Sequence, residues 1–336
     1  MESEVLSSAA LSEKTAYHAM AQEMWDALRR RASGAAEGPA MGLVVQGGGM
    51  RGIYCMGVLA ALEEMGFTAC FDHVAGSSAG ALTAAHFITG QARYGVETYV
   101  RHLSNRRFVH LLRVSKQLDI DYLINYVVRE VRPFNVSVLA HASTTLHIAL
   151  TDALDASAHY VTNKTPGIDL WEAFRATAAA PILYNRFVRV GDRWCLDGSL
   201  SDPLPLQRIV DCGCRYVLVI LTKPLWYRSK PVGAPLRTIA ALKIRHYSSA
   251  LKQALFDENL ALNRALALLS ENKGALTLGS VKMLVIAPSH QRHLVKCTTT
   301  NANRLWQCAL RARADAWRAF GRIPPATDNP FRAGDT

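Results

Sequence analysis

The chain has 336 residues, of which 50% are hydrophobic and 19% are charged, and this composition excludes a disordered chain or a fibrous repeat. The 38 basic and 27 acidic side chains give a formal net charge of +11. Residues 1–150 hold 13 side chains of each sign, whereas residues 216–336 hold 18 basic and 6 acidic ones. Because the excess lies in the last third, the charge pattern disfavours a uniformly basic nucleic-acid-binding protein, and no nucleic acid is expected as a partner.

The first 40 residues are predicted to form a leader, with a helix over residues 16–31 and a linker of small residues over 32–40. They lack the basic start and apolar core of a secretory signal, and no stretch of the chain reaches the roughly 18 apolar residues of a membrane-spanning helix. The seven cysteines are odd in number, and Cys212-Gly-Cys214 lacks the spacing of a zinc site. We therefore expect a cytoplasmic protein with free thiols and no metal.

Two strand–turn–helix units follow the leader. Residues 41–45 form a short apolar run that ends at three glycines, and residues 53–65 have the character of a helix. Residues 70–75 predict a second strand, and residues 81–88 a second helix. Consecutive units of this kind predict an α/β fold with a parallel sheet. Further strands are predicted at 146–151, 215–221 and 281–287, and further helices at 121–130, 170–179, 248–269 and 303–320.

The first turn, GGGMRG at residues 47–52, satisfies the G-x-G-x-x-G pattern of dinucleotide-binding folds. That pattern also asks for an acidic residue at the end of the second strand, but Asp72 lies at the beginning of the predicted strand. Small residues at a helix amino terminus can instead direct unpaired amides at a developing negative charge, as in an oxyanion hole. Both hypotheses compete with a turn that merely needs flexible backbone.

The second turn, GSSAG at residues 76–80, matches G-x-S-x-G and places Ser78 between a strand and a helix, where its hydroxyl would be exposed. A nucleophilic serine needs a base. His246, His290 and His293 lie late enough in the chain for a Ser–acid–His triad. The order of the motifs argues against that assignment, because the serine turn follows only the second strand of the core.

The remaining acidic candidate is Asp197 in the sequence DGS at residues 197–199, which by itself is typical of a turn. Taken in order, the glycine loop, the serine turn and this aspartate resemble the patatin-like phospholipases. The segment ATAAAP at residues 176–181 is also similar to the stretch that precedes the aspartate in that family. The resemblance covers residues 41–221 and looks most like the bacterial, cytoplasmic members; it departs from them at Ser199, where Gly or Ala is usual.

The resemblance implies a three-layer α/β/α fold with a mostly parallel sheet and a Ser–Asp dyad. Ser78 would be the nucleophile and Asp197 the general base, with Gly48, Gly49 and Arg51 stabilising the oxyanion. The supporting motif positions would be Gly47, Gly52, Gly76, Gly80, Gly198 and Ser199. The substrate would be a phospholipid or another fatty-acyl ester, cleaved through an acyl-enzyme with no cofactor. The catalytic domain would span residues 41–225, followed by a helical, basic C-terminal extension over 226–336.

The predicted helix at 303–320 is amphipathic. Its apolar stripe consists of Trp306, Leu310, Trp317 and Phe320, and its basic face of Arg304, Arg311 and Arg318. The stripe can pack on the core, or the basic third of the chain can make peripheral contact with an anionic membrane. Two other hypotheses for the whole chain stay open: a catalytically silent membrane-surface or partner-binding module, and a nucleotide-dependent oxidoreductase.

Overall fold

A sheet with parallel strands at its centre organises the chain in the computed structural model, which describes residues 2–35, 38–231, 233–290 and 294–331. Its strands are β1 (Met41–Val45), β2 (His73–Ser77), β3 (Thr145–Asp152), β4 (Ala158–Thr162), β5 (Val188–Val190), β6 (Arg193–Asp197), β7 (Tyr216–Ile220), β8 (Ala275–Leu278) and β9 (Val281–Ile286). Their order is β5-β6-β3-β2-β1-β7-β9-β8, and β4 also pairs with β3. The run from β3 to β9 is parallel, and β4, β5, β6 and β8 are antiparallel to their neighbours.

The helices cover both faces of this sheet. They are α1 (Glu2–Ala32), α2 (Gly52–Glu64), α3 (Ala79–Ile88), α4 (Ala92–Glu97), α5 (Ile120–Tyr122), α6 (Val136–His141), α7 (Leu170–Thr177), α8 (Leu206–Asp211), α9 (Ala234–Lys243), α10 (Ser249–Glu271) and α11 (Ala302–Ala319). Two further segments, Thr98–Leu103 and Leu123–Val131, are π-helical.

The alternating direction of the side chains along β1 explains why helices cover both faces of the sheet. Leu43 and Val45 belong to one apolar core together with α2, α3 and α11, whereas Val44 belongs to a second core with α8 and the end of α10. Successive strand side chains point to opposite faces, so a strand that is apolar throughout must be buried on both. The expected three-layer α/β/α architecture with a mostly parallel sheet is confirmed.

The position of β6 was not evident from the sequence. Strand β3 pairs with β2 along residues 145–149 and with β6 along 150–152, while β4 occupies its other edge at residues 147–151. Since a strand has only two edges, β6 takes up the same edge of β3 at the point where β2 ends. The end of β6 therefore meets the end of β2, and Asp197 comes next to the serine turn.

Helix α11 packs on α2 through small residues, since a Cβ atom on Gly57 of α2 would lie 2.6 Å from the carbonyl oxygen of Ala309 and 2.9 Å from the Cβ atom of Ala312. The stripe that the sequence singled out packs beside this contact, mainly on other parts of the molecule. The Trp306 ring lies against Phe331, Phe320 packs on Trp25, and the Trp317 indole donates to Glu64 at 3.3 Å. The arginine face (Arg304, Arg311 and Arg318) is exposed. Of the two alternatives for the stripe, packing on the core is the one observed. In the described part of the chain, every helix is too short or too polar to cross a bilayer.

Candidate active site

Ser78 occupies a strained turn between β2 and α3. Its φ of 55° and ψ of −133° lie in a region that side chains other than glycine rarely adopt. The turn directs the hydroxyl toward the end of β6, where Ser78 Oγ donates a hydrogen bond to Asp197 Oδ2 at 2.8 Å. The structure thus brings together the two residues that the sequence analysis paired.

The glycines beside Ser78 let three backbone segments approach one another. A Cβ atom on Gly80 would lie 2.2 Å from the carbonyl oxygen of Val45, and one on Gly76 would lie 2.7 Å from the amide nitrogen of Ala81. Real Cβ atoms do not come that close to backbone. The G-x-S-x-G pattern is therefore explained by the close contact between β1, β2 and α3.

Asp197 is the last residue of β6 and is 2% exposed. Its Oδ1 accepts a hydrogen bond from the Ser199 amide at 2.9 Å, which leaves Oδ2 for Ser78. Burial raises the pKa of Asp197 to about 6, although the Ser199 and Ser78 hydrogen bonds oppose the shift. Gly198 fits the next position because a Cβ atom there would lie 2.1 Å from the carbonyl oxygen of Ala149. A buried carboxylate with a raised pKa is suited to accept a proton near neutral pH.

The glycine loop lies directly beside Ser78, since a Cβ atom on Gly47 would be 3.0 Å from that of Ser78. Gly48 has a φ of 148°, which only glycine adopts readily. The Met50 amide donates to the carbonyl oxygen of Cys297 at 3.0 Å. The amides of Gly48 and Gly49, by contrast, have no hydrogen-bond acceptor among the residues that the structure describes. Two unpaired amides beside a serine hydroxyl can stabilise an oxyanion.

Arg51 folds back over this loop. Its Nε would be 3.0 Å from a Cβ atom on Gly48, and that nitrogen is buried with no hydrogen-bond partner among the described residues. Gly52, the last glycine of the motif, is the first residue of α2. A Cβ atom on Gly52 would lie 2.4 Å from the Tyr99 hydroxyl oxygen. The guanidinium therefore places a positive charge beside the unpaired amides.

A cavity of about 280 Å³ opens onto Ser78 and Asp197. Near the serine it is bounded by Gly48, Gly49 and Arg51. Away from the serine its walls are mostly apolar, and they include Met56, Leu82, Leu103, Phe108, Leu118, Ile120, Leu123 and Val128. A long apolar chain would fit such walls, with a polar group held at the serine.

Two charged side chains from outside the motifs also line the cavity. Glu258 lies on α10, and its pKa is raised to about 7 by burial and by the charge of Asp197. The pKa of Lys223 is lowered by burial and by Arg51, and its ammonium lies 3.5 Å from the centre of the Tyr227 ring. Nothing in the local sequence of either residue marks it, since the fold brings Glu258 to Asp197 from 61 positions away.

Other residues position the motifs and were missed by the sequence analysis. The Thr177 hydroxyl accepts a hydrogen bond from the Ser78 amide at 2.9 Å and donates one to the Ala149 carbonyl at 2.6 Å. Buried Gln46 accepts from the amide and hydroxyl of Thr222, which fixes the glycine loop to the end of β7. Thr177 lies within the small-residue segment at 176–181, which was the one available signal.

The two described histidines that were considered as bases, His246 and His290, do not hydrogen-bond to the pair. The hydrogen-bond partners of the Ser78 hydroxyl and the Asp197 carboxylate within the described ranges are each other and the Ser199 amide. His246 packs against Phe187 and Tyr247 instead. His293 lies outside the described residues.

Asp72 does not meet the glycine loop. Its carboxylate forms an ion pair with Arg31 at 2.9 Å and accepts a hydrogen bond from the Met41 amide. Because Asp72 precedes β2, it lies at the end of the sheet opposite the serine turn. The separation, about 17 Å along a five-residue strand, is too large for one residue to hold the ribose of a nucleotide bound at the loop. This placement removes the acidic partner that the dinucleotide hypothesis requires.

At that opposite end, His73, His147 and Cys212 bring three possible metal ligands within 4.8 Å of one another. The second ring nitrogen of His147 accepts a hydrogen bond from the Arg208 guanidinium at 3.1 Å. A metal-bound histidine normally donates from that nitrogen to an acceptor. Burial and the Arg208 charge also lower the pKa of His147 to about 3. The surroundings of this group fit a neutral hydrogen-bonded pair better than a metal centre.

Comparison with known proteins places these features in context. Residues 43–209 match the model of the family described as patatin-like phospholipase. The chain is 28% identical over 189 residues to the uncharacterized protein YjjU of Escherichia coli (strain K12), a match that covers 54% of this chain and 52% of YjjU. The chain therefore spans about half the length of that curated relative.

Two solved structures are also similar. Human GIVD cytosolic phospholipase A2 matches with a TM-score of 0.44 and 12% identity, over 92% of this chain and 65% of that one. VipD from Legionella pneumophila matches with a TM-score of 0.37 and 12% identity, over 82% of this chain and 67% of that one.

Proposed function

Because residues 43–209 belong to the patatin-like phospholipase family, we propose that the chain is a serine lipid acyl hydrolase that uses Ser78 and Asp197 as a catalytic dyad. One observation carries the proposal. The Ser78 hydroxyl is hydrogen-bonded to a buried carboxylate at 2.8 Å, beside unpaired glycine amides and at the end of an apolar cavity. Nucleophile, base, oxyanion donors and an acyl site are the four parts that ester cleavage needs.

Catalysis begins when Ser78 Oγ attacks the carbonyl carbon of the ester and Asp197 Oδ2 takes the hydroxyl proton. The carbonyl oxygen becomes an oxyanion, which accepts hydrogen bonds from the amides of Gly48 and Gly49 with the Arg51 charge nearby. Removing one donor of this kind typically costs about 3 kcal/mol of transition-state stabilisation.

The tetrahedral intermediate then collapses. The bond to the alcohol oxygen breaks, and that oxygen leaves with the proton held by Asp197, which gives a free alcohol and an acyl-Ser78 ester. Asp197, ionised again, takes a proton from a water molecule that attacks the acyl group. The fatty acid leaves, and the proton returns to Ser78 Oγ.

The apolar walls of the cavity support a fatty-acyl chain as the group transferred to Ser78. The charged trio of Arg51, Lys223 and Glu258 lies on the same cavity, where the alcohol part of a lipid ester would carry its polar group. We therefore propose phospholipids as the first substrates to test.

The test compares the wild type with Ser78→Ala and Asp197→Ala on a panel of lipid esters, with products identified by mass spectrometry and Ser78 labelled by a fluorophosphonate. We expect the wild type to release fatty acid and to be labelled, and both variants to lose at least about 10³-fold in rate. Ser77→Ala is the matched control, because Ser77 donates to the carbonyl of Asp202 instead of Asp197. A wild type that is neither labelled nor active would identify a silent module on the same fold.

A further inference from the structure

Three exposed large apolar side chains lie in one short loop, and two of them are among the three most exposed in the described part of the chain. Leu111, Leu112 and Val114 are 53%, 90% and 87% exposed. Single exposed apolar residues are ordinary, but three within four positions form a patch that solvent alone does not favour. We refer to residues 106–117 as the docking loop.

The docking loop is fixed by its own hydrogen bonds. Val109 pairs with Leu118, and the His110 amide donates to the Gln117 carbonyl at 2.8 Å. The Gln117 side chain in turn donates to the Leu111 carbonyl at 2.8 Å. A loop ordered in this way holds its apolar tip away from the core, so the exposure of the tip is part of the folded structure.

The base of the docking loop is a wall of the catalytic cavity. Phe108, within the loop, and Leu118, directly after it, both line the cavity that holds Ser78. The Leu118 amide donates to the carbonyl of Leu183, another lining residue, at 3.0 Å. The loop that carries the apolar tip therefore also contributes to the apolar wall that leads to the serine.

The docking loop is also basic. It carries Arg106, Arg107, Arg113 and Lys116 and no acidic residue. Arg113 and Lys116 pair with Asp119 and Asp121. Arg106 and Arg107 are exposed, and in the described part of the chain neither lies within salt-bridge distance of a carboxylate; the Arg107 guanidinium lies 4.6 Å from the centre of the Tyr122 ring. These two charges are available to an external anion.

We propose that the docking loop binds the surface of a bilayer that contains anionic phospholipid. Leu111, Leu112 and Val114 enter the boundary between headgroups and acyl chains, and Arg106 and Arg107 lie at the level of the phosphates. An aliphatic tip with a cationic base matches that boundary, which is apolar below and negatively charged above. The inference rests on the proposed function, because a lipid leaving such a surface would enter the cavity along the same apolar wall.

The experiment measures cosedimentation of the full chain carrying Ser78→Ala with vesicles of phosphatidylcholine, with and without about 30 mol% phosphatidylglycerol. We expect the protein to bind the anionic vesicles and the triple variant Leu111→Ser, Leu112→Ser, Val114→Ser to bind at least about 10-fold more weakly. The matched control is Leu154→Ser with Ile323→Ser, two residues that are 83% and 88% exposed elsewhere. The control should bind like its parent.

A second variant tests the charge. Arg106→Gln should weaken binding to the anionic vesicles by about fivefold, the equivalent of about 1 kcal/mol for one surface cation. It should leave any binding to pure phosphatidylcholine unchanged. Equal binding of parent and variant to anionic vesicles would overturn the role of the charge, and equal binding of the triple variant and its parent would overturn the role of the tip.

The outcome separates this inference from the proposed function. The wild type is also assayed on a short-chain ester dissolved as monomers. If that ester is cleaved while the Ser78→Ala protein ignores vesicles, the docking inference fails and the hydrolase stands. If vesicles bind and no ester is cleaved, the hydrolase fails. If the protein does not bind vesicles but self-associates, and the triple variant abolishes that self-association, the loop mediates contacts between copies of the chain and the proposal is wrong. Thermal melts establish that each variant is folded.

Discussion

The Ser78 amide donates a hydrogen bond to the Thr177 hydroxyl at 2.9 Å. The Thr177 hydroxyl in turn donates a hydrogen bond to the Ala149 carbonyl, so the serine turn is fixed both to the end of α7 and to β3. The strained φ of Ser78 needs such support, because a turn in this region relaxes when nothing holds it. We infer that Thr177 positions the nucleophile and takes no part in the chemistry.

Thr177→Val should leave the Ser78 amide buried without a partner, which costs about 1–3 kcal/mol. We expect kcat to fall by about 10- to 100-fold with little change in KM, since the cavity walls stay in place. The readout is steady-state kinetics together with the rate of fluorophosphonate labelling. Thr177→Ser, which keeps the hydroxyl, should restore most of the rate; a Ser variant as slow as Val would contradict the positioning role.

The pH profile should reflect Asp197. Its carboxyl group must be ionised to accept the serine proton, and burial raises its pKa to about 6. We therefore expect kcat/KM to fall as the pH decreases through about 6, approaching tenfold per pH unit below it. A profile that stays level down to pH 4, about the ordinary carboxyl pKa, would mean that Asp197 is not the base.

Glu258 should determine the alkaline side of the same profile. Its pKa is raised to about 7, so its carboxyl group becomes ionised as the pH rises through that value and adds a negative charge to the cavity of the developing oxyanion. We expect wild-type activity to fall above pH 7 and Glu258→Gln to remain about fivefold more active there, the equivalent of about 1 kcal/mol. Glu271→Gln, an exposed change on the same helix, is the control and should leave the profile unaltered.

Asp197→Asn should stabilise the protein at alkaline pH while it abolishes hydrolysis. The folded-state pKa of about 6 exceeds the model-peptide value of 3.8. As the pH rises through this window, the unfolded chain releases the proton first, and the wild type loses about 3 kcal/mol of unfolding free energy. The asparagine variant does not titrate. Thermal or urea unfolding should therefore find it more stable at pH 8 and equal to the wild type below about pH 4; a variant less stable at pH 8 would contradict the burial argument.

The sequence predicted the parts of this site that local pattern controls. Both strand–turn–helix units lie where the apolar runs and glycines indicated, within a few residues, because turn chemistry and strand burial leave direct marks in the chain. The sequence did not predict that β6 meets the end of β2, because this contact depends on which edge of β3 is free. Thr177 and Glu258 were missed for the same reason: each acts through a contact that only the folded chain creates.

The amphipathic helix shows a different limit. Its tryptophan stripe is compatible with a core or with a membrane, and periodicity alone cannot distinguish them. The structure shows that the helix packs on the core: Arg313 of α11 and Glu64 of α2 form an ion pair at 2.7 Å that fixes α11 to α2. Three exposed apolar side chains, Leu111, Leu112 and Val114, lie instead in a loop whose sequence has no periodic pattern.

The hydrogen bond from the Met50 amide to the Cys297 carbonyl bears on how far this catalytic unit can be transplanted. The family match ends at residue 209, yet β7 is one of the two strands that flank β1, and the carbonyl of residue 297 holds the loop whose amides we propose as oxyanion donors. A fragment cut at residue 209 would contain both residues of the proposed dyad, but it would lose one of the two neighbours of β1 and the hydrogen bond that holds the glycine loop. The proposed site is therefore encoded across most of the chain, and grafting it onto another scaffold would require parts that lie outside the family match.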